Sequence, residues 1–466
     1  MDIQFIGAAQ TVTGSMHLVR TGTTNFLVDC GLYQGKRKLA FEINRNFEFF
    51  DPQEIDFVIL THAHIDHSGN LPTLVKKGFR GKIYSTFATR DLVTVMLRDS
   101  AHIQEKDVEY VNKKRRKKGQ NLFEPLYTQE DALKALKLFV GLNYHHEIQL
   151  TPDIKLTFVD AGHILGSAVT FLSIMENGKE YKLGFSGDLG RPNLPILKDP
   201  EKIRDVDYFI SESTYGGRYH DDPTNSEAGL ARVVNRAVQR NAKIIVPAFS
   251  VGRTQELVYA LNNIFGRGDA PRIPVFVDSP LSVNATEVFR LHPECFDAET
   301  EEYIIHNKDP FGFNQLEYIT EVSESKELNN VDGPMMIISS SGMCEAGRIQ
   351  HHLKNNIEDP NNIILIVGYC AEHTLCRRIV EKNEYVKIFG EEYKLKAEVI
   401  VFNSFSAHAD ANELLDYVTK FDKEKMKKIF LVHGDIEQQE IFKKHLSQKG
   451  FENIEIPAKG DVFALD

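Results

Sequence analysis

The chain has 466 residues, 42% of them hydrophobic, a length and composition that suit two or more domains with sizeable cores. No apolar run approaches the roughly 18 residues of a membrane span, and the N-terminal MDIQFIGAAQTVTGS has no basic segment ahead of a long apolar core, so a soluble cytoplasmic protein is expected. The formal charge of −11 is opposite to the basic footprint of a nucleic-acid binder, and five cysteines (Cys30, Cys295, Cys344, Cys370, Cys376), never spaced CxxC, argue for a reducing compartment and against a cysteine-ligated zinc.

Phe57-Val58-Ile59-Leu60 predicts a short strand, and THAHIDHSG (Thr61 to Gly69) follows at once with His62, His64, Asp66 and His67 in six positions. Alternate strand residues share a side, so His62 and His64 can reach one cation, while the turn after them lets Asp66 and His67 swing toward a second position. Three imidazoles and a carboxylate suit zinc, with manganese or iron as alternatives. With only 17 histidines in 466 residues, chance clustering in a surface turn explains the motif poorly. Leu97 to Leu138 predicts helices broken around Lys117 to Gly119. KKRRKK (Lys113 to Lys118) lies there and fits a solvated loop and a strand-guiding patch equally well.

Three later apolar runs end in small residues and one ligand-type side chain: Leu156 to Asp160 before Gly162-His163, Leu183 to Phe185 before Ser186-Gly187-Asp188, and Ile429 to Val432 before His433-Gly434. Strand ends are where such folds gather their sites. Singly, each reads as a satisfied core histidine or a turn aspartate; beside THAHIDHSG they do not look accidental. Between Glu212 and His408 the pattern changes to strand, glycine-containing loop, helix: Lys243 to Val246, Ile273 to Val277, Met335 to Ser339 and Ile363 to Gly368 each lead into such a loop. That alternation predicts an α/β unit with a parallel sheet. Two of its loops, one with Ser250 and Arg253 and one with Ser340, Ser341 and Gly342, put small residues just before a predicted helix. Free amides and the helix dipole favour a phosphate there, although ordinary strand-to-helix turns share the pattern. A helix is expected from about Ile436 to Gln448, followed by a short tail, so substrate grip is expected from the inserted unit and not from an appended RNA-binding domain.

Seven motifs, in order, carry a resemblance: VDCGLYQG with Asp29, THAHIDH, AGHILGS with His163, FSGDLGR with Asp188, ISESTYG with Glu212, NSFSAHAD with His408, and LVHGD with His433. Nearly end to end, the chain resembles the β-CASP nucleases of the metallo-β-lactamase superfamily, relatives of the nuclease subunit of the pre-mRNA cleavage and polyadenylation machinery. The resemblance implies an α/β fold: a metallo-β-lactamase αββα sandwich from residues 1–207, completed by 398–466, with an inserted α/β β-CASP cap domain over 208–397. It implies two zinc ions (manganese as alternative), one held by His62, His64 and His163, the other by Asp66, His67 and His433, with Asp188 bridging. Asp29 resembles the carboxylate that orients the histidine ligands from behind, His408 the proton donor, and Glu212 its hydrogen-bonding partner.

The chemistry agrees with that assignment. A water shared by two divalent cations deprotonates near neutrality, its pKa falling from about 15.7 to roughly 7. A histidine held by a carboxylate suits the poor ribose leaving group. The leading expectation is a ribonuclease cutting single-stranded RNA internally through a hydroxide bridging two zincs; a 5′ exonuclease or DNA nuclease is the nearest alternative. Glu212, His408 and the long insert count against a small-molecule lactamase-fold hydrolase, and the complete ligand set against an inactive RNA-binding scaffold. His64, where flavodiiron oxygen reductases carry glutamate, disfavours those relatives. RNA is the expected partner, no membrane is expected, and a homodimer is compatible with the resemblance. The chain departs from its relatives at Asp435, often glutamate, and in GYCAEHTLCRR, where Cys370, His373 and Cys376 replace smaller or uncharged residues of the commoner GYQAEGTLGRR.

Overall fold

The computed structural model of the chain describes residues 1–35, 37–220, 226–306, 308–368, 370–371, 373–402 and 406–466. Three residues of NSFSAHAD (Asn403, Ser404, Phe405) and two of GYCAEHTLCRR (Tyr369, Glu372) lie outside the described residues. Contacts divide the chain into two units. One is Met1–Asn193, Lys198–Tyr219 and His408–Asp466; the other is Leu194–Leu197 and His220–Ala407.

The first unit is built on two seven-stranded sheets. One runs Val462–Ala464, Asp2–Gly7, Met16–Arg20, Asn25–Val28, Phe57–Ile59, Lys82–Thr86, Phe139–Leu142 across the sheet. The other runs Ile454–Glu455, Lys428–Val432, Tyr208–Glu212, Lys179–Phe185, Ala168–Glu176, Ile154–Asp160, Ile148–Thr151. Residues two apart share a face of a strand, and those pairs make the core: Ile3 with Phe5, Phe26 with Val28 and Phe57 with Ile59 meet Leu156 with Phe158, Leu183 with Phe185 and Phe430 with Val432. The opposite face of the second sheet buries Val159, Phe209, Ile429 and Leu431 against Leu414 and Val418 of helix Ala411–Thr419 and Phe442 and Leu446 of helix Ile436–Gln448. Helix Phe87–Arg116 packs along strands Lys82–Thr86 and Phe139–Leu142 of the first sheet. The result is the helix–sheet–sheet–helix layering expected. The helical stretch also breaks where expected, between Phe87–Arg116 and Gln129–Leu136.

Parallel registers place the functional motifs. Val28 pairs with Ile59, Phe185 with Ile210, and Glu212 with Val432, so the residues that follow (Asp29, Thr61 onward, Asp188, Ser213 and His433) leave neighbouring strands at their carboxyl ends.

The second unit holds an all-parallel six-stranded sheet ordered Leu316–Ile319, Val275–Asp278, Met335–Ser339, Lys243–Pro247, Ile363–Val367, Glu398–Phe402. Its central runs KIIVP, MMIIS and IILIV are buried throughout, as a sheet covered on both faces requires. The expected boundaries at 208 and 397 shift. Strand Tyr208–Glu212 belongs to the first unit, because its partners are Lys179–Phe185 and Lys428–Val432, and strand Glu398–Phe402 belongs to the second, because it pairs with Ile363–Val367. The cysteine spacing favours a reducing setting, yet the structure joins Cys370 to Cys376, whose turn brings their Cα atoms within 5.6 Å; Cys30, Cys295 and Cys344 are free and buried. No helix of the described residues is long and apolar enough to cross a membrane.

Candidate metal centre

All the candidate metal ligands singled out in the sequence come together in the first unit. His62, His64, His163 and Asp188 offer ligand atoms within 4.8 Å of one another, as do Asp66, His67 and His433. His64 Nδ1 lies 3.2 Å from both His62 Nε2 and His163 Nε2. Asp188 faces both groups: its Oδ2 is 3.3 Å from His62 Nε2 and 3.5 Å from His163 Nε2, and its Oδ1 is 3.2 Å from His67 Nε2 and 3.5 Å from His433 Nδ1. His433 Nε2 is 3.4 Å from Asp66 Oδ2. Ligands about 2.0 to 2.1 Å from a tetrahedral zinc are separated by about 3.4 Å, so these spacings fit such an ion.

Two further observations support the fit. His67 Nε2 and Asp188 Oδ1 are buried without a hydrogen-bond partner although they face each other, which a cation between them would resolve. Burial also disfavours the charged form of the first group's histidines, and the neutral form is the one that ligates. Burial lowers His64 to about 3, with the charge of His62 adding to it, and burial pushes His62 down and His163 well down.

The surroundings orient the ligands. Asp29 is buried and takes up the Nδ1 side of His67 at 2.6 Å, while its Oδ1 accepts from Thr61 N at 2.9 Å and Thr61 Oγ1 at 3.0 Å. Thr61 Oγ1 also meets His62 Nδ1 at 3.1 Å, and Thr214 Oγ1 meets His433 Nδ1 at 3.0 Å. Asp29 (φ +62°) and His433 (φ +49°) both sit in the left-handed region, at a cost of order 1 kcal/mol or more each. Backbone hydrogen bonds from Asp29 N to Ile59 O (2.8 Å) and from His433 N to Ala8 O (2.7 Å) hold them there.

Beside this cluster, His408 Nδ1 lies 3.3 Å from Glu212 Oε1 and 3.9 Å from Asp188 Oδ2. Glu212 is fully buried and itself accepts from Leu189 N at 2.6 Å. His408 pairs with Gly190 in an antiparallel bridge and stands two residues before Asp410, the cap of helix Ala411–Thr419, with Ala409 N between them bonded to Leu189 O. Burial works against its charge, but Glu212 and Asp188 outweigh that and raise it to about 9. Its side chain keeps 22% exposure, enough to meet a substrate.

The second unit gathers part of the predicted phosphate loops. Ser340 Oγ donates to Ser279 Oγ at 2.9 Å and Ser250 Oγ is 3.3 Å from the same oxygen, while Ser341 bonds Ala346 within its own turn and Gly342 lies against Phe249. Arg253, expected as a candidate phosphate contact, has a side chain 6% exposed and paired with Glu256, one helical turn on. Sequence reasoning missed Ser279, Thr61 and Thr214, single hydroxyls without a pattern. It also missed a buried network on Asp278, whose carboxylate receives Arg348 Nη1 (2.6 Å), His352 Nε2 (2.6 Å) and Ser325 Oγ (2.5 Å).

That network makes a stability prediction. Burial alone raises the Asp278 carboxyl, yet the hydrogen bonds of His352, Ser325 and Arg348 hold it below its ordinary value of 3.8. Asp278→Ala leaves those partners buried and uncompensated, a loss of roughly 3 to 5 kcal/mol. A depressed carboxyl stabilises above its unfolded pKa and loses that contribution as pH falls through the folded one. Denaturant unfolding should therefore find the gap between wild type and variant at pH 7 narrowing below about pH 4. A gap that is constant down to pH 3 contradicts this account.

Three family descriptions match the chain in order: Metallo-beta-lactamase superfamily over residues 10–248, Beta-Casp domain over 254–379, and Zn-dependent metallo-hydrolase RNA specificity domain over 392–457. A ribonuclease of Thermus thermophilus is 34% identical over 453 residues, which are 97% of this chain and 97% of that protein. The chain belongs to the β-CASP family of the metallo-β-lactamase superfamily. As a β-CASP protein it is a metal-dependent hydrolase, and its candidate ligands fall in the lactamase and RNA-specificity matches. The transcription termination factor FttA of Methanocaldococcus jannaschii is 32% identical over 444 residues, 93% of this chain and 67% of that factor. Among solved structures, a protein of unknown function from Enterococcus faecalis V583 shares the fold at 13% identity, with a TM-score of 0.55 over 100% of this chain and 99% of that one.

Proposed function

We propose that the chain is a two-zinc ribonuclease that cuts single-stranded RNA internally, leaving a 5′ phosphate and a 3′ hydroxyl. The observation that carries the proposal is Asp188, whose two oxygens face two separate ligand groups while His408 approaches the same carboxylate. The Thermus relative named a ribonuclease supports RNA as the substrate.

In this reading His62, His64 and His163 hold one zinc, Asp66, His67 and His433 the other, and Asp188 both. When bound, the two cations polarise a phosphoryl oxygen and bring a water's pKa to roughly 7. Asp29 fixes the Nδ1 side of His67 and so aims Nε2 at the site. Glu212 fixes the Nδ1 side of His408, which leaves Nε2 to give its proton to the departing 3′ oxygen of the ribose. In the second unit, Ser250, Ser340, Ser341 and Gly342 are the candidates for contacts to phosphates of the RNA.

Asp29→Asn should weaken zinc binding about 10- to 100-fold in a competition titration, since the amide no longer polarises His67. Unchanged affinity contradicts the orienting role. The substrate is tested by giving the zinc-loaded protein end-labelled single-stranded RNA and DNA, a thioester and a lactone. Internal RNA cuts that stop on chelation and return with zinc are expected. A protein that spares RNA and opens the thioester or lactone overturns the proposal.

A further inference from the structure

The end of helix Phe87–Arg116 and the turn after it carry six consecutive cations, Lys113 to Lys118, in a chain of net charge −11. Among the described residues none of the six forms an ion pair with a carboxylate, whereas nearby Glu109 is taken up by Lys106 and Glu124 by Arg45. Aromatic rings are interleaved with these charges. Lys114 Nζ lies 4.3 Å from the centre of the Tyr110 ring, and the Arg115 guanidinium lies 4.4 Å from that of Phe123. Phe41 meets Phe123 edge-on at 6.1 Å and carries Arg45 over its own ring at 5.1 Å.

Tyr110 is 61% exposed and Phe123 44%. Phe123 is held in place: Asn112 Nδ2 donates to Phe123 O and Phe123 N donates to Asn112 Oδ1, each at 2.9 Å, and Arg115 Nε donates to Asn121 O. A side chain that clamps a backbone in both directions fixes an apolar ring in water. Two exposed rings flanking a run of cations that have no carboxylate partner match the chemistry of a single strand, whose bases stack on rings and guanidinium planes while its phosphates meet the ammonium groups.

We propose that Tyr110, Phe123 and Lys113 to Lys118 form an accessory docking surface for single-stranded RNA, separate from the metal ligands. It rests on the ribonuclease reading for the identity of the strand. A membrane surface fits less well, because an interfacial segment needs a continuous apolar face and here two rings stand apart on either side of six cations.

The test uses the zinc-loaded full chain and a fluorescent oligouridylate of about 20 nucleotides, long enough to occupy a site of several stacked bases. A Tyr110→Ala, Phe123→Ala double variant should bind it about 5- to 30-fold more weakly by anisotropy. A second variant, with Lys113, Lys114, Lys117 and Lys118 each changed to Ala, should lower the slope of log affinity against log salt by about two to three. Both should hydrolyse bis(p-nitrophenyl) phosphate as wild type does, which verifies that the metal site is intact. If wild type binds the RNA and both variants bind within twofold of it, the docking surface is wrong and the ribonuclease reading stands. Loss of binding to phosphatidylserine vesicles without loss of RNA binding also overturns it. Wild type that binds no RNA overturns both readings together.

Discussion

His408→Ala is expected to lower kcat for RNA by about 10²- to 10⁴-fold, the usual contribution of a positioned general acid. The variant should lose far less on a p-nitrophenyl phosphodiester, whose leaving group departs without a proton. The pH profile separates this role from a structural one. A general acid works protonated, so kcat falls as pH rises through its pKa. The carboxylates of Glu212 and Asp188 set that value at about 9, and two bound dications, adding positive charge nearby, draw it lower. Wild type should therefore show an alkaline fall at or below about pH 9 that His408→Ala lacks. An identical fall in the variant, or equal losses on both substrates, contradicts the assignment.

Asp188→Asn should be more damaging still. It removes the negative charge on which both ligand groups converge, and it leaves His62, His163, His67 and His433 facing a neutral amide. Metal assistance supplies several kcal/mol of transition-state stabilisation, so a fall in kcat of about 10³-fold or more is expected. Because the carboxylate faces both ligand groups, the variant should bind less zinc than wild type. A variant with full zinc content and near-normal turnover contradicts the shared role.

These expectations draw on unequal parts of the sequence. The spacing of His62 and His64 after a short strand is a local fact, and it made half of the site legible without any other information. His433 meets Asp66 across 367 residues of chain, a pairing that no window of sequence contains; it became legible only through the motif order of the family. The boundaries of the inserted unit were misplaced for the same reason, since strands Tyr208–Glu212 and Glu398–Phe402 are assigned by partners far away in sequence. Arg253 is a different case. Glu256 stands three residues on, a spacing that pairs charges on a helix, so its burial in an ion pair had a local signal. Thr61, Thr214 and Ser279 had none, because a single hydroxyl reads alike whether it orients a ligand or faces water.

The central claim is a dinuclear centre organised by Asp188. Its most direct test is native mass spectrometry of the zinc-loaded chain beside Asp188→Asn. Two zinc ions per wild-type chain and fewer in the variant are expected. A wild-type chain that saturates at one zinc, with Asp188→Asn identical to it, contradicts the account.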